Sequence, residues 1–144
     1  MSSKAKDRSL SEWFSEIEKG AIKLPRFQRY EAWDRHRIAS LVKTIIHDLP
    51  LGITLILEVD KEQFPSRYLQ TAEPEDATAR VTEHLLDGQQ RLTSLWRALH
   101  NNYDDTTFFI YVPELDEYYD NPWACLLYTS DAADDMQCVD LGGR

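Results

Sequence analysis

The sequence predicts an α/β (α+β) fold built on a small mixed sheet flanked by helices. Stretches with apolar residues at helical spacing alternate with short apolar runs that end at Pro or Gly, the order expected of a mixed chain. The length of 144 residues, 42% hydrophobic and 28% charged, suits one soluble core and not a second independent one. No apolar run approaches the ~20 residues that cross a bilayer.

Residues 1–9 are polar and are expected to form a flexible N-terminus without a signal peptide. Ser9 and Glu12 have capping-box spacing, and Leu10, Trp13, Phe14 and Ile17 make one stripe, so a first helix is predicted from about Leu10 to Lys19, stopped by Gly20. Ala21 to Leu24 is a short candidate strand ended by Pro25. Ile38, Leu41, Val42, Ile45, Ile46 and Leu49 recur at i, i+3, i+4, i+7, i+8 and i+11, a second helix capped by Asp34 and ended by Pro50 and Gly52. Ile53 to Val59 is apolar on both faces and is expected inside a sheet. Asp60 to Thr82, with Pro65, Pro74 and the acidic Glu73, Glu75 and Asp76, is expected to be a surface insertion. Glu83 to Leu86 is a strand running into Asp87-Gly88. A third helix follows from about Gln90 to Asn101, with Leu92, Leu95, Trp96 and Leu99 in register. Phe108 to Val112 is expected to be a further buried strand stopped by Pro113. Phe27 and Trp33 are expected in the core, where large aromatics mostly pack.

A formal net charge of -9 disfavours binding duplex DNA through a broad basic surface. The charge is uneven. Lys19, Lys23, Arg26, Arg29, Arg35 and Arg37 face only Glu31 and Asp34 in their stretch. Asn101 to Asp120 carries Asp104, Asp105, Glu114, Asp116, Glu117 and Asp120 with no Lys or Arg. An anion site is expected nearer the first stretch, although charge runs are commonly no more than solvated faces. Cys125 and Cys138 form no CxxC and have no zinc spacing, so a cytoplasmic protein is expected. His36, His47, His84 and His100 show no metal-ligating spacing and read as structural or exposed.

Two segments carry chemistry. Leu24 to Trp33 reads LPRFQRYEAW and Leu85 to Trp96 reads LLDGQQRLTSLW; each places Gln-Arg after a strand and at or before the opening of a helix. Backbone N–H groups and the positive end of the helix dipole stabilise anions at such junctions, and an Arg adds a planar fork that matches phosphate oxygens. Gly88 permits a tight turn and close backbone approach. Gln28, Gln89 and Gln90 can donate and accept hydrogen bonds to a base or ribose, and Asp87 can hold magnesium or fix Arg91. The plainer alternative is a turn with Asp87 as helix cap and Arg91 on the surface. Neither a Walker A loop nor GxGxxG occurs.

Together the segments resemble the GmrSD restriction endonuclease N-terminal family, whose fold is ParB/sulfiredoxin-like. Leu24-Pro25-Arg26-Phe27-Gln28-Arg29-Tyr30-Glu31-Ala32-Trp33 matches its first motif, with Glu31 where an aromatic is usual. Asp87-Gly88-Gln89-Gln90-Arg91-Leu92-Thr93-Ser94-Leu95 matches its second. The resemblance covers roughly Leu10 to Val112, and places a truncated nucleotide-binding domain at 10–125. It implies binding, and in several members hydrolysis, of a nucleoside triphosphate with Mg2+, controlling a nuclease that attacks foreign or modified DNA. Asp87 and Arg91 become the catalytic candidates, Asp87 the metal ligand, and Gln28, Arg29, Gly88, Gln89, Gln90 and Arg91 the nucleotide contacts. DNA would be reached through the full-length protein or a partner nuclease domain, with a homo-oligomer left open and no membrane. One alternative is a non-catalytic DNA-binding module using residues 19–37. Another is a direct nuclease, which the lack of a carboxylate cluster beyond Asp87 disfavours. Residues 126–144 show no clear period, resemble translated adapter sequence, and are expected to be a non-native tail that packs poorly. The rival is that Leu126 to Tyr128 continues a native strand.

Overall fold

The computed structural model describes residues 4–74, 80–111, 125–129 and 137–140. The chain divides into two units, Met1–Glu31 with Ile53–Gln89, and Ala32–Gly52 with Gln90–Arg144.

The first unit begins with helix α1 (Leu10–Glu18), closed at both ends by local chemistry. The Ser9 side chain accepts from Glu12 N–H and Glu12 Oε2 accepts from Ser9 N–H, a complete capping box. At the other end Gly20, at φ +70°, lets its own N–H reach Ile17 O and the next N–H, of Ala21, reach Glu16 O, a Schellman motif. Four strands follow: β1 (Ile22–Pro25), β2 (Leu55–Glu58), β3 (Ser66–Arg67) and β4 (Glu83–Asp87). They form a mixed sheet in the order β2-β4-β1-β3. β4 runs parallel to β1, with Ile22 opposite Glu83, while β2–β4 and β1–β3 are antiparallel. Ile17, Ile22, Leu24, Leu69 and Leu85 are among the buried side chains around it.

Three features of this unit differ from the sequence expectation. The apolar run from Ile53 forms an edge strand, not an inner one, and Ile53 itself is 87% exposed. Residues 60–82 supply both β3 and the buried Leu69, so part of that insertion is core. Arg8, within the stretch expected to be flexible, is anchored. Arg8 donates through both terminal nitrogens to the Glu83 carboxylate at 2.7 Å, and its guanidinium lies 4.5 Å from the Trp13 ring centroid. The hydrogen bond to Glu83 holds the Arg8 pKa above its usual value.

The second unit holds α2 (Arg35–Ile46) and all but the first residue of α3 (Gln89–Leu99). Asp34 caps α2 by accepting from Arg37 N–H at 2.9 Å, and Ile38, Leu41 and Val42 are buried as the period predicts. The helix stops at Ile46, short of Leu49, because Asp48 turns to φ +53°. Leu92, Leu95 and Trp96 form the buried face of α3. β5 (Thr107–Tyr111), β6 (Cys125–Thr129) and β7 (Gln137–Asp140) make a second, antiparallel sheet in that order. β5 is therefore an edge strand with Phe109 exposed, not the buried strand expected. Its predicted last residue, Val112, lies outside the described residues, as do Glu114 to Asp120. Backbone pairing continues past residue 125: Leu126–Thr129 pairs with β5, and β7 pairs with β6. Among the described residues no helix is long and apolar enough to cross a membrane.

Candidate functional site

The two motif segments are held by long-range hydrogen bonds, and each unit shows its own. In the first unit, Pro25 to Gln28 forms a tight turn in which Gln28 N–H reaches Pro25 O at 3.1 Å. The Gln28 amide then donates to Leu85 O at 2.7 Å and to Leu86 O at 2.9 Å, tying the first motif to β4 just ahead of the second. Arg67 supports the same loop. It donates to the carbonyls of Gln28 and Arg29 at 3.3 and 3.0 Å, and its guanidinium lies 4.1 Å from the Tyr30 ring centroid. At the end of β4, Asp87 Oδ1 accepts from Gly88 N–H at 2.8 Å, and Gly88 sits at φ +91°. A side chain at position 88 would strain that turn. Gly88 and Gln89 are buried, whereas Asp87 is exposed.

In the second unit, Gln90 Oε1 accepts from Ala32 N–H at 2.9 Å, which fixes the end of the first motif. Arg91 is half-buried and donates from Nη1 to Leu51 O at 2.8 Å. Gly52, at φ +91°, lies so close that a Cβ there would run into Arg91 Nη1.

The exposed Arg29 side chain makes no hydrogen bond or ion pair among the described residues. Phe27, expected in the core, is 76% exposed because it occupies the tip of the Pro25–Gln28 turn. Trp33 is only half-buried. Arg67, Leu51 and Gly52 were not singled out as site residues from the sequence. The first two act across some forty positions with no spacing signal, but Gly52, read only as a helix stop, was visible beside Pro50.

The basic stretch is less of a patch than its composition suggests. Lys19 pairs with Glu16, Lys23 with Glu62, Arg35 with Asp105 and Arg37 with Asp34. Ser66 and Glu62 hydrogen-bond closely, which together with Lys23 holds the Glu62 carboxyl below its usual range. His84 is fully buried, accepting from Gln63 N–H at its Nε2 and packing 5.5 Å from Phe64, a structural role. Among the described residues no group of three or more His, Cys, Asp or Glu is placed to hold a metal ion.

Comparison with known proteins agrees with the motifs. Residues 10–135 match the family described as the GmrSD restriction endonuclease, N-terminal domain. An uncharacterized protein of Methanocaldococcus jannaschii is 34% identical over 87 residues, which cover 57% of this chain and 15% of that protein. No solved structure matches the chain. With the family match spanning most of the sequence and both motifs seated at strand ends, the chain belongs to the GmrSD restriction endonuclease N-terminal domain family.

Proposed function

We propose that this chain is the nucleoside-triphosphate-binding and hydrolysing, regulatory part of a DNA restriction system directed at foreign DNA, with cleavage carried out by another domain or a partner subunit. The observation that carries the reading is the seat of Asp87-Gly88-Gln89-Gln90-Arg91 at the β4–α3 junction, with a left-handed glycine at the turn and α3 opening behind it. A helix start favours negative charge, and Arg91, in the first turn of α3, carries a guanidinium fork. Magnesium fits Asp87. One carboxylate oxygen is oriented by Gly88 N–H, the other makes no hydrogen bond among the described residues, and phosphate and water oxygens would complete the usual shell. Bound there, the ion would supply charge neutralisation of the phosphates. Gln28 and Gln90 act by position, since their amide groups already hold Leu85, Leu86 and Ala32. Arg29 is left exposed for an anion. The rival DNA-binding reading through residues 19–37 is weakened by the four ion pairs in that stretch.

Titration with labelled nucleoside triphosphate tests the proposal. Loss of a charge-assisted contact in Arg91→Ala is expected to cost ~1.5–3 kcal/mol, about ten- to a hundredfold in affinity. Arg29→Ala should cost less. Arg91→Lys keeps the charge and loses the fork, and should fall between wild type and Arg91→Ala. Folded variants that bind like wild type would refute the assignment.

A further inference from the structure

His84 lies on β4 in the first unit, fully buried, and the nucleotide reading makes no use of it. Lys23 of β1 and Leu57 of β2 are its partners across the sheet. Gln63 N–H reaches its Nε2 at 3.3 Å, and the Phe64 ring lies 5.5 Å from it. Its Nδ1 is buried with no hydrogen-bond partner among the described residues. An imidazole nitrogen that accepts a hydrogen bond carries no proton, so the neutral ring holds its proton on Nδ1. A second proton can enter only at Nε2, and there it turns the acceptor for Gln63 into a donor. Proton uptake and the Gln63 bond therefore exclude each other. The bonded form also leaves the Nδ1 donor unpaired in the interior, which narrows the margin in its favour.

What the bond holds is the 62–66 stretch. Pro65 O accepts from Arg26 N–H at 2.9 Å and Ser66 O accepts from Arg26 Nε at 3.2 Å, so this stretch supports the start of the Pro25–Gln28 turn. Three charged groups bear on His84. Lys23, opposite it on β1, pairs with Glu62 at 3.7 Å. Glu83, beside it on β4, is held by Arg8. Glu62 interacts favourably with a charged imidazole; its own carboxyl is held below the usual range, chiefly by Ser66, so it stays ionised while a histidine titrates.

We infer that His84 is a proton-sensitive latch: the bond from Gln63 N–H to its Nε2 keeps residues 62–66 closed, and a second proton on the imidazole releases them together with their support of the Pro25–Gln28 turn. The released form binds a proton that the closed form excludes, so acid favours release. One proton sets the limit of the effect, up to about tenfold in the open-to-closed ratio per pH unit. The latch lies within the first unit and does not depend on what the first motif binds.

Amide hydrogen exchange of the full chain tests it, read as protection of Gln63 relative to an unstructured peptide at the same pH. In wild type, protection is expected to fall between about pH 8 and 5, the range of histidine titration, by no more than about tenfold per unit. His84→Gln places an amide oxygen near the position of Nε2 and cannot titrate there, so Gln63 should stay protected throughout. His84→Phe keeps a ring but offers no acceptor, so Gln63 should be weakly protected at every pH. Nitrogen-15 shifts of the wild-type imidazole add a reading that needs no variant. The ring should be protonated on Nδ1 alone at high pH, and Nε2 should gain its proton over the range in which Gln63 loses protection. Wild-type protection that does not change with pH overturns the latch. So does a His84→Gln protein that loses protection as wild type does, a His84→Phe protein that keeps it, or an imidazole protonated on Nε2 while Gln63 remains protected.

Discussion

A methyl group at position 52 would meet the Arg91 guanidinium, on a backbone already at φ +91°. Gly52→Ala is therefore expected to lower stability by about 1–2 kcal/mol from backbone strain alone. By displacing Arg91 it should also weaken nucleotide binding in the protein that remains folded. Urea unfolding and titration on one preparation read both effects. Glu12 shows a second residue-scale effect. Hydrogen bonds from Ser9 hold its carboxyl below the ordinary glutamate value of 4.5. A depressed folded pKa means that this contribution is present above the unfolded value and lost as pH falls through the folded one. Stability measured from pH 6 downward should decline less steeply in Glu12→Gln than in wild type, with the difference confined to the window below about 4.5. The capping roles of Ser9, Glu12 and Asp34 were legible in the sequence because each closes within three residues. Arg67 beneath Tyr30, Arg91 on Leu51 and the exposure of Phe27 were not, since each depends on chain brought in from elsewhere or on the tip of a turn.

Each of the three helices among the described residues ends in the same way, with a left-handed residue and a pair of crossed hydrogen bonds. Only α1 has a glycine there; α2 uses Asp48 at φ +53° and α3 uses Asn101 at φ +54°. Aspartate pays a steric penalty in that region that glycine avoids, partly offset by glycine's larger entropy loss on folding. Asp48→Gly is expected to raise stability by roughly 0.5–1 kcal/mol, seen as a higher urea midpoint with an unchanged slope. A fall in the midpoint would mean that the Asp48 side chain contributes something the backbone geometry does not show. The non-glycine stops explain why the sequence reading carried α2 on to Leu49: the apolar period continues past the point where the backbone turns. Helix existence and burial followed the period closely, as Ile38, Leu41, Val42, Leu92, Leu95 and Trp96 show. Strands were harder to place. An apolar run such as Ile53 to Val59 reports affinity for a sheet but not position within it, and β3 has only two residues, too few for any pattern.

At the scale of the whole chain, acidic charge and local pairing make the same demand on DNA. The net charge is -9, and of the six basic residues between 19 and 37 only Arg26 and Arg29 lack a carboxylate partner among the described residues. If the chain binds duplex DNA at all, the slope of log affinity against log salt should be no steeper than about −2, as for two phosphates. A slope near −5, as for about six phosphates, would mean that the ion pairs open and the basic stretch is a DNA surface. The strand order was the least legible feature of the fold, because its central pairing joins Ile22 to Glu83, far apart in sequence. That separation also governs how the protein comes to be made. Closing so long a loop costs roughly 3–4 kcal/mol of chain entropy before the first parallel contact repays any of it. Capped α1 can form in microseconds, whereas β1 must wait for β4. On a ribosome adding ~5–20 residues per second, that wait is about 3–12 s. During it the nascent chain carries Ile22 with no strand partner, since β3 reaches only Leu24 and Pro25. The Asp87-Gly88 turn at the end of β4 can take its shape only once the wait is over.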